Sequence, residues 1–96
     1  MSERRRIRVA DVLVYLGVEE RQFLEPLRRE GLFEADEIEP EQAEDLRLAK
    51  VLMEELGVNP AGVDVALHLR RRMLALERRA RALADALEAS QRSNRS

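Results

Sequence analysis

The chain's one histidine, His68, stands four residues after Asp64, a spacing that sets two side chains next to each other on a helix. An imidazole beside a carboxylate is the beginning of a general-base pair, but catalysis also needs a nucleophile or a second acid within reach. Cysteine is absent, and the four glycines (Gly17, Gly31, Gly57, Gly62) are scattered rather than gathered into a phosphate-binding loop. Asp64 and His68 are therefore expected to form a local surface pair. No catalytic residue, cofactor-binding residue or metal ligand is assigned, and the chain reads as a non-enzyme.

The carboxylates carry a sharper signal. Between Glu34 and Glu55 nine acids face only Arg47 and Lys50, whereas from Pro60 onward eight arginines face four acids, so a net charge of −2 hides two opposed regions. Glu34, Asp36, Glu37, Glu39, Glu41 and Glu44 lie close enough in sequence to make one acidic surface, suited to a basic partner. A different chemistry is offered by Arg21, Gln22 and Arg28, since Arg and Gln are side chains that read base edges in DNA. Glu19, Glu20 and Glu25 stand among them, however, and carboxylates beside phosphates oppose the electrostatics of DNA binding. The basic stretch Arg4 to Arg8 is the feature that keeps a DNA reading in play.

Helices must position these groups. Val9, Val12, Leu13 and Leu16 recur at helical spacing and Gly17 ends that helix. A second helix is expected from Glu19 to Arg29, with Phe23, Leu24 and Leu27 on one face, Pro26 bending it or delaying its start, and Gly31 closing it. The acidic stretch from Phe33 to Glu41 follows, with Ile38 its strong apolar residue. Pro40 then opens a third helix whose Ala43, Leu46, Ala49, Val51, Leu52, Met53 and Leu56 are expected to pack on the first two.

Gly57, Asn59 and Pro60 form a junction: a residue able to adopt a left-handed conformation, a capping side chain and a first-turn proline. From Pro60 to about Gln91 nothing interrupts a fourth helix. Its Ala66, Leu69, Met73, Leu76, Ala80, Leu83 and Leu87 alternate three and four apart, a heptad seam, while Val63, Leu67 and Leu74 form a second stripe for packing on the head. Past about Arg78 such a helix outruns a head of this size, so its seam calls for a partner, most simply a second copy. Dimerisation is expected through Leu69, Met73, Leu76, Ala80, Leu83 and Leu87. Arg70, Arg71, Arg72, Arg78, Arg79 and Arg81 are expected to be a solvated flank that pairs with Glu77, Asp85 or a partner chain's acids. The organisation predicted is a helical head with a short acidic wing over 1–58, a coiled-coil arm over 59–91 and a polar tail over 92–96.

The junction Leu56-Gly57-Val58-Asn59-Pro60-Ala61-Gly62-Val63, feeding a long helix after a helix-turn-helix unit, resembles the MerR-like group. Leu16-Gly17-Val18 and Gly31-Leu32-Phe33 are similar to the turn and the terminus of that group's helix-turn-helix. Within it the chain looks most like chaperone modulators of the CbpM-like and DafA-like kind and like the heat-shock repressors. The resemblance implies an all-α fold, a MerR-like head with a degenerate wing and a long dimerisation helix that pairs antiparallel with that of a second copy. DNA-binding wings of the group carry basic and aromatic residues, whereas this one reads Glu34-Ala35-Asp36-Glu37-Ile38-Glu39-Pro40-Glu41 and is shorter. The implied function is a modulator or assembly factor of a DnaK/DnaJ-type chaperone system that binds a J-domain co-chaperone through its acidic head. The alternative is a DNA-binding regulator of heat-shock repressor type using Arg21, Gln22 and Arg28.

At 96 residues the chain is one small domain with a limited core, for which a second copy adds buried surface. No apolar run approaches the roughly 20 residues of a membrane span, and the arginine-rich start lacks the apolar stretch of a secretion signal, so a cytoplasmic location is expected.

Overall fold

The computed structural model describes residues 5–94 and is mostly helical. Residues 1–4 lie outside the described residues; Arg5 and Arg6 have no regular structure. Ile7–Arg8 form a short strand, β1, and Val9–Leu16 the helix α1. Gly17 (φ 70°) closes α1, and the Val18 amide donates to the Leu13 carbonyl at 3.1 Å, satisfying an acceptor at the helix end.

The second helix is built in two pieces. Glu20–Leu24 is a π turn that runs into a short α-helix, α2 (Glu25–Arg29). Pro26 falls in the first turn of α2, where its missing amide costs least, so the expected bend appears as a change of helix type. Phe23, Leu24 and Leu27 are all buried. After Gly31 the chain passes through Phe33, a residue other than glycine at positive φ (53°), held there with its ring buried.

Glu37–Ile38 form β2, which pairs antiparallel with β1, Ile7 opposite Ile38 and Arg8 opposite Glu37. This ladder adds a minor β component that the all-α expectation omitted. Arg8, expected in a free basic arm with Arg4 to Arg6, is instead a strand residue directly across from an acid, and Arg4 lies outside the described residues. Two-residue strands carry no alternation to be recognised, and their pairing spans some 30 residues of chain.

Pro40 begins α3 (Pro40–Lys50), with a capping box between Glu39 and Gln42: the Glu39 amide donates to Gln42 Oε1 at 3.2 Å. The helix continues as a second π turn, Val51–Glu55. Leu46 and Ala49 are fully buried, while Ala43, Leu52 and Met53 pack at the edge of the core. Leu56, expected to pack with them, is exposed (67%). The wider π turn shifts the register by a residue and carries Leu56 off the core-facing side.

At the junction Gly57 (φ 66°) reverses the chain, and Asn59 Oδ1 accepts the Gly62 amide at 2.8 Å, capping α4 (Pro60–Asn94). A Cβ at residue 62 would stand 2.7 Å from Val58 Cγ1, so glycine is required there by close packing. Val63 and Leu67 are completely buried and join Val9, Leu13, Phe23, Leu24, Leu27, Leu32, Phe33, Ile38, Leu46 and Ala49 in one core. The first turns of the arm are thus part of the head. Arg92 to Asn94, expected in a polar tail, are helical, and Arg92 pairs with Glu88 at 3.0 Å one turn back; the rest of the tail, 95–96, lies outside the described residues. None of the described helices is long and apolar enough to cross a membrane.

Candidate functional site

Backbone geometry distributes the six predicted carboxylates along β2, the loop before it and the start of α3. Three have ionic partners in the same chain. Asp36 lies 3.5 Å from Arg28 Nη2, Glu41 lies 3.6 Å from Arg78 of the arm, and Glu44 accepts from Arg47 Nε at 2.8 Å. The Arg47 hydrogen bond holds the Glu44 carboxyl below the usual carboxylate range, and Glu44 in turn raises the Arg47 guanidinium. Glu39 belongs to the capping box of α3. Glu34 and Glu37 are exposed and have no ion pair among the described residues, so the unneutralised charge sits on the wing.

The residues that would read DNA are separated by the fold. Arg21 and Gln22 are exposed on the π turn, beside exposed Glu19, Glu20 and Glu25. Arg28 points the other way. Its Nε donates to the Phe33 carbonyl at 2.8 Å and its Nη2 reaches the Ala35 carbonyl at 3.4 Å, so this guanidinium braces the loop that leads into the wing.

The arm's arginines depart from expectation. Arg70 Nη1 lies 2.6 Å from Asp45 Oδ1 and Arg71 Nη2 lies 3.4 Å from Asp45 Oδ2, the carboxylate itself being 5% exposed. These two arginines tie the arm to the head and are no solvated flank. The reason is helix phase: Val63 and Leu67 bury themselves against the head, and positions 70 and 71 continue the same face. Arg78 extends that line to Glu41, and past it α4 runs free for about 24 Å. The seam residues Leu69, Met73, Leu76, Leu83 and Leu87 are between 55% and 63% exposed. Ala80 between them is exposed as well. At about 100° per residue the seam lies roughly 140° round the helix from the face that touches the head. His68 Nδ1 stands 3.6 Å from Asp64, the local pair expected.

Two features escaped the sequence reading. Lys50, the one lysine, donates from α3 to the Leu16 carbonyl at 2.8 Å, satisfying the open end of α1. A cleft between α1 and α3 is lined by Ile7, Val12, Tyr15, Leu16, Pro40 and Ala43, with Tyr15 86% exposed at its rim. The available signal for the latter was Tyr15 at i+3 from Val12 and next to Leu16, an aromatic on the same side of α1; Lys50 gave none. Among the described residues no group of three or more His, Cys, Asp or Glu is placed to hold a metal ion.

Comparison with protein-family models, with curated proteins and with solved structures finds no match to this chain.

Proposed function

We propose that this protein is a non-enzymatic modulator or assembly factor of a DnaK/DnaJ-type chaperone system, with a MerR-like head that engages a J-domain co-chaperone and an arm that pairs with a second copy. The observation that supports this reading best is the wing: Glu34 and Glu37 are exposed carboxylates with no ion pair among the described residues, and Arg28 is committed to bracing the loop behind them. An acidic edge of this kind complements a basic helix on a partner and accelerates their encounter. It repels a phosphate backbone.

The test is binding of a purified J-domain protein, followed by surface plasmon resonance over a range of salt. Glu34→Lys with Glu37→Lys is expected to slow association at low salt and to flatten its salt dependence. Association kinetics unchanged in that variant would remove the wing from the interface.

Exposed Arg21 and Gln22 favour the second reading, a DNA-binding regulator of heat-shock repressor type. Three carboxylates on the same short segment weigh against it. Recovery of a defined promoter fragment, without chaperones, in a pull-down from the native lysate would establish that second reading over the first.

A further inference from the structure

The chain has three aromatic residues, and they are not placed alike. Phe23 and Phe33 lie in the core, whereas Tyr15 is 86% exposed on α1 beside Val14, itself 80% exposed. Tyrosine at the edge of an apolar depression is an arrangement in which contact surfaces concentrate their binding energy. The depression here is the cleft between α1 and α3, about 290 Å³ and open to solvent: small for a pocket that encloses a ligand, but roomy enough for a pair of aliphatic side chains.

Shape and charge together specify an occupant. The helices α1 and α3 run side by side in broadly the same direction, since Ile7 pairs with Ile38 just before one end and Lys50 reaches the Leu16 carbonyl at the other. Both walls are therefore helices whose backbone groups are satisfied internally. An extended peptide would find no ladder to join, whereas a helix brings its own hydrogen bonds and needs only a groove. With eight residues α1 is about 12 Å long, which matches two turns of such a helix and hence two apolar anchors one turn apart. Three charged side chains line the cleft, Asp11, Glu44 and Arg47. Arg47 is engaged by Glu44, while Asp11 makes no ion pair among the described residues. The charge left over is negative and calls for a cation.

We propose that the α1–α3 cleft is a docking groove for a basic amphipathic helix, which seats two apolar side chains between Val12, Leu16 and Ala43, under Tyr15, and sets a lysine or arginine against Asp11. The groove is distinct from the acidic wing: Ile7 lines it, while Arg8 and Glu37, the other pair of the ladder, line a depression on the opposite side. It goes beyond the chaperone reading, because any helix of that chemistry fits.

The probe is a helix-favouring peptide of about 18 residues with leucines at i and i+4 and lysines beside them, titrated into the isotope-labelled full chain. Amide shifts are expected to concentrate at Val12, Tyr15, Leu16 and Ala43. Tyr15→Ala should weaken binding about tenfold or more and leave the thermal midpoint in place, because the side chain is exposed. Exchanging the peptide's lysines for glutamates should weaken its binding to the native chain at low salt, and Asp11→Asn should narrow that difference. Shifts confined to the wing or to the Leu69–Leu87 seam, an affinity unmoved by Tyr15→Ala, or no binding at millimolar peptide overturns the proposal. So does a concentration dependence of the same amide shifts without peptide, which would give the cleft to a second copy. A J-domain protein that fails to bind the native chain, while this peptide binds as described, sinks the chaperone reading and leaves the groove standing.

Discussion

Asp45 and Arg70, separated by 25 residues in sequence, meet at 2.6 Å with the carboxylate buried between α3 and α4. Asp45 is the one charged residue of the described chain that is buried, and Arg71 adds a longer contact at 3.4 Å. The pair fixes how the arm leaves the head.

Removing the carboxylate should therefore loosen that joint. Asp45→Ala is expected to cost about 1 to 2 kcal/mol in chemical denaturation, less than for a wholly buried pair because Arg70 is 34% and Arg71 48% exposed and both can rehydrate. Asp45→Leu should recover part of the loss by filling the space. A denaturation midpoint unmoved by Asp45→Ala would reduce the pair to an incidental contact.

Gly62 offers a test with a change of sign. Alanine there gains up to about 1 kcal/mol of helix propensity. Its Cβ, however, would stand 2.7 Å from Val58 Cγ1 on a stiff β-branched side chain, and 3.3 Å from the capping Asn59 Oδ1. Gly62→Ala is expected to destabilise by about 1 kcal/mol in the native background. In a Val58→Ala background the same substitution should stabilise, since the obstructing methyl is gone.

Lys50→Met keeps the aliphatic stem and removes the donor to the Leu16 carbonyl. A loss of about 1 to 2 kcal/mol is expected, with amide exchange accelerating first around Gly17 and Val18 at the end of α1.

Phe33 combines a strained backbone (φ 53°) with a buried ring. Phe33→Gly relieves about 1 kcal/mol of strain and forfeits about 3 kcal/mol or more of buried aromatic surface, so packing wins and the variant should be less stable by about 2 kcal/mol. A more stable variant, by thermal melting, would mean that the backbone strain outweighs the ring.

Glu44 should titrate at lower pH than an isolated exposed glutamate, because the hydrogen bond from Arg47 favours its ionised form. With the folded value depressed, the stabilisation is present above the unfolded carboxylate pKa and is lost as pH falls through the folded one. It is small, since both groups are open to solvent. Carboxyl NMR shifts should place the Glu44 midpoint below that of an isolated glutamate, and Arg47→Met should raise it.

What the sequence disclosed follows the range of the forces involved. Gly17, Gly31 and the Gly57-Asn59-Pro60 junction were legible because caps and helix ends depend on neighbours a few residues away. The division of α4 between Val63 and Leu67 on the head and the Leu69 to Leu87 seam was legible because each stripe repeats. Asp45 looked like any acid in its run, and only packing of α4 across α3 singles it out. The β1–β2 ladder is two residues long on each side, and the π turns at Glu20–Leu24 and Val51–Glu55 carry no residue pattern that sets them apart from an α-helix. Of the candidate site, composition identified an acidic surface, but the neutralisation of Asp36, Glu41 and Glu44 by Arg28, Arg78 and Arg47 depended on the fold.

From Val63 to Asn94 α4 contains neither glycine nor proline, so head and arm share one uninterrupted rod. Such a rod acts as a lever with its fulcrum at Asp45. A tilt of about 10° at the head displaces the far end by about 4 Å over the free 24 Å. A displacement of the head is thereby carried to the far end of the arm, with no glycine or proline between Val63 and Asn94 to absorb it.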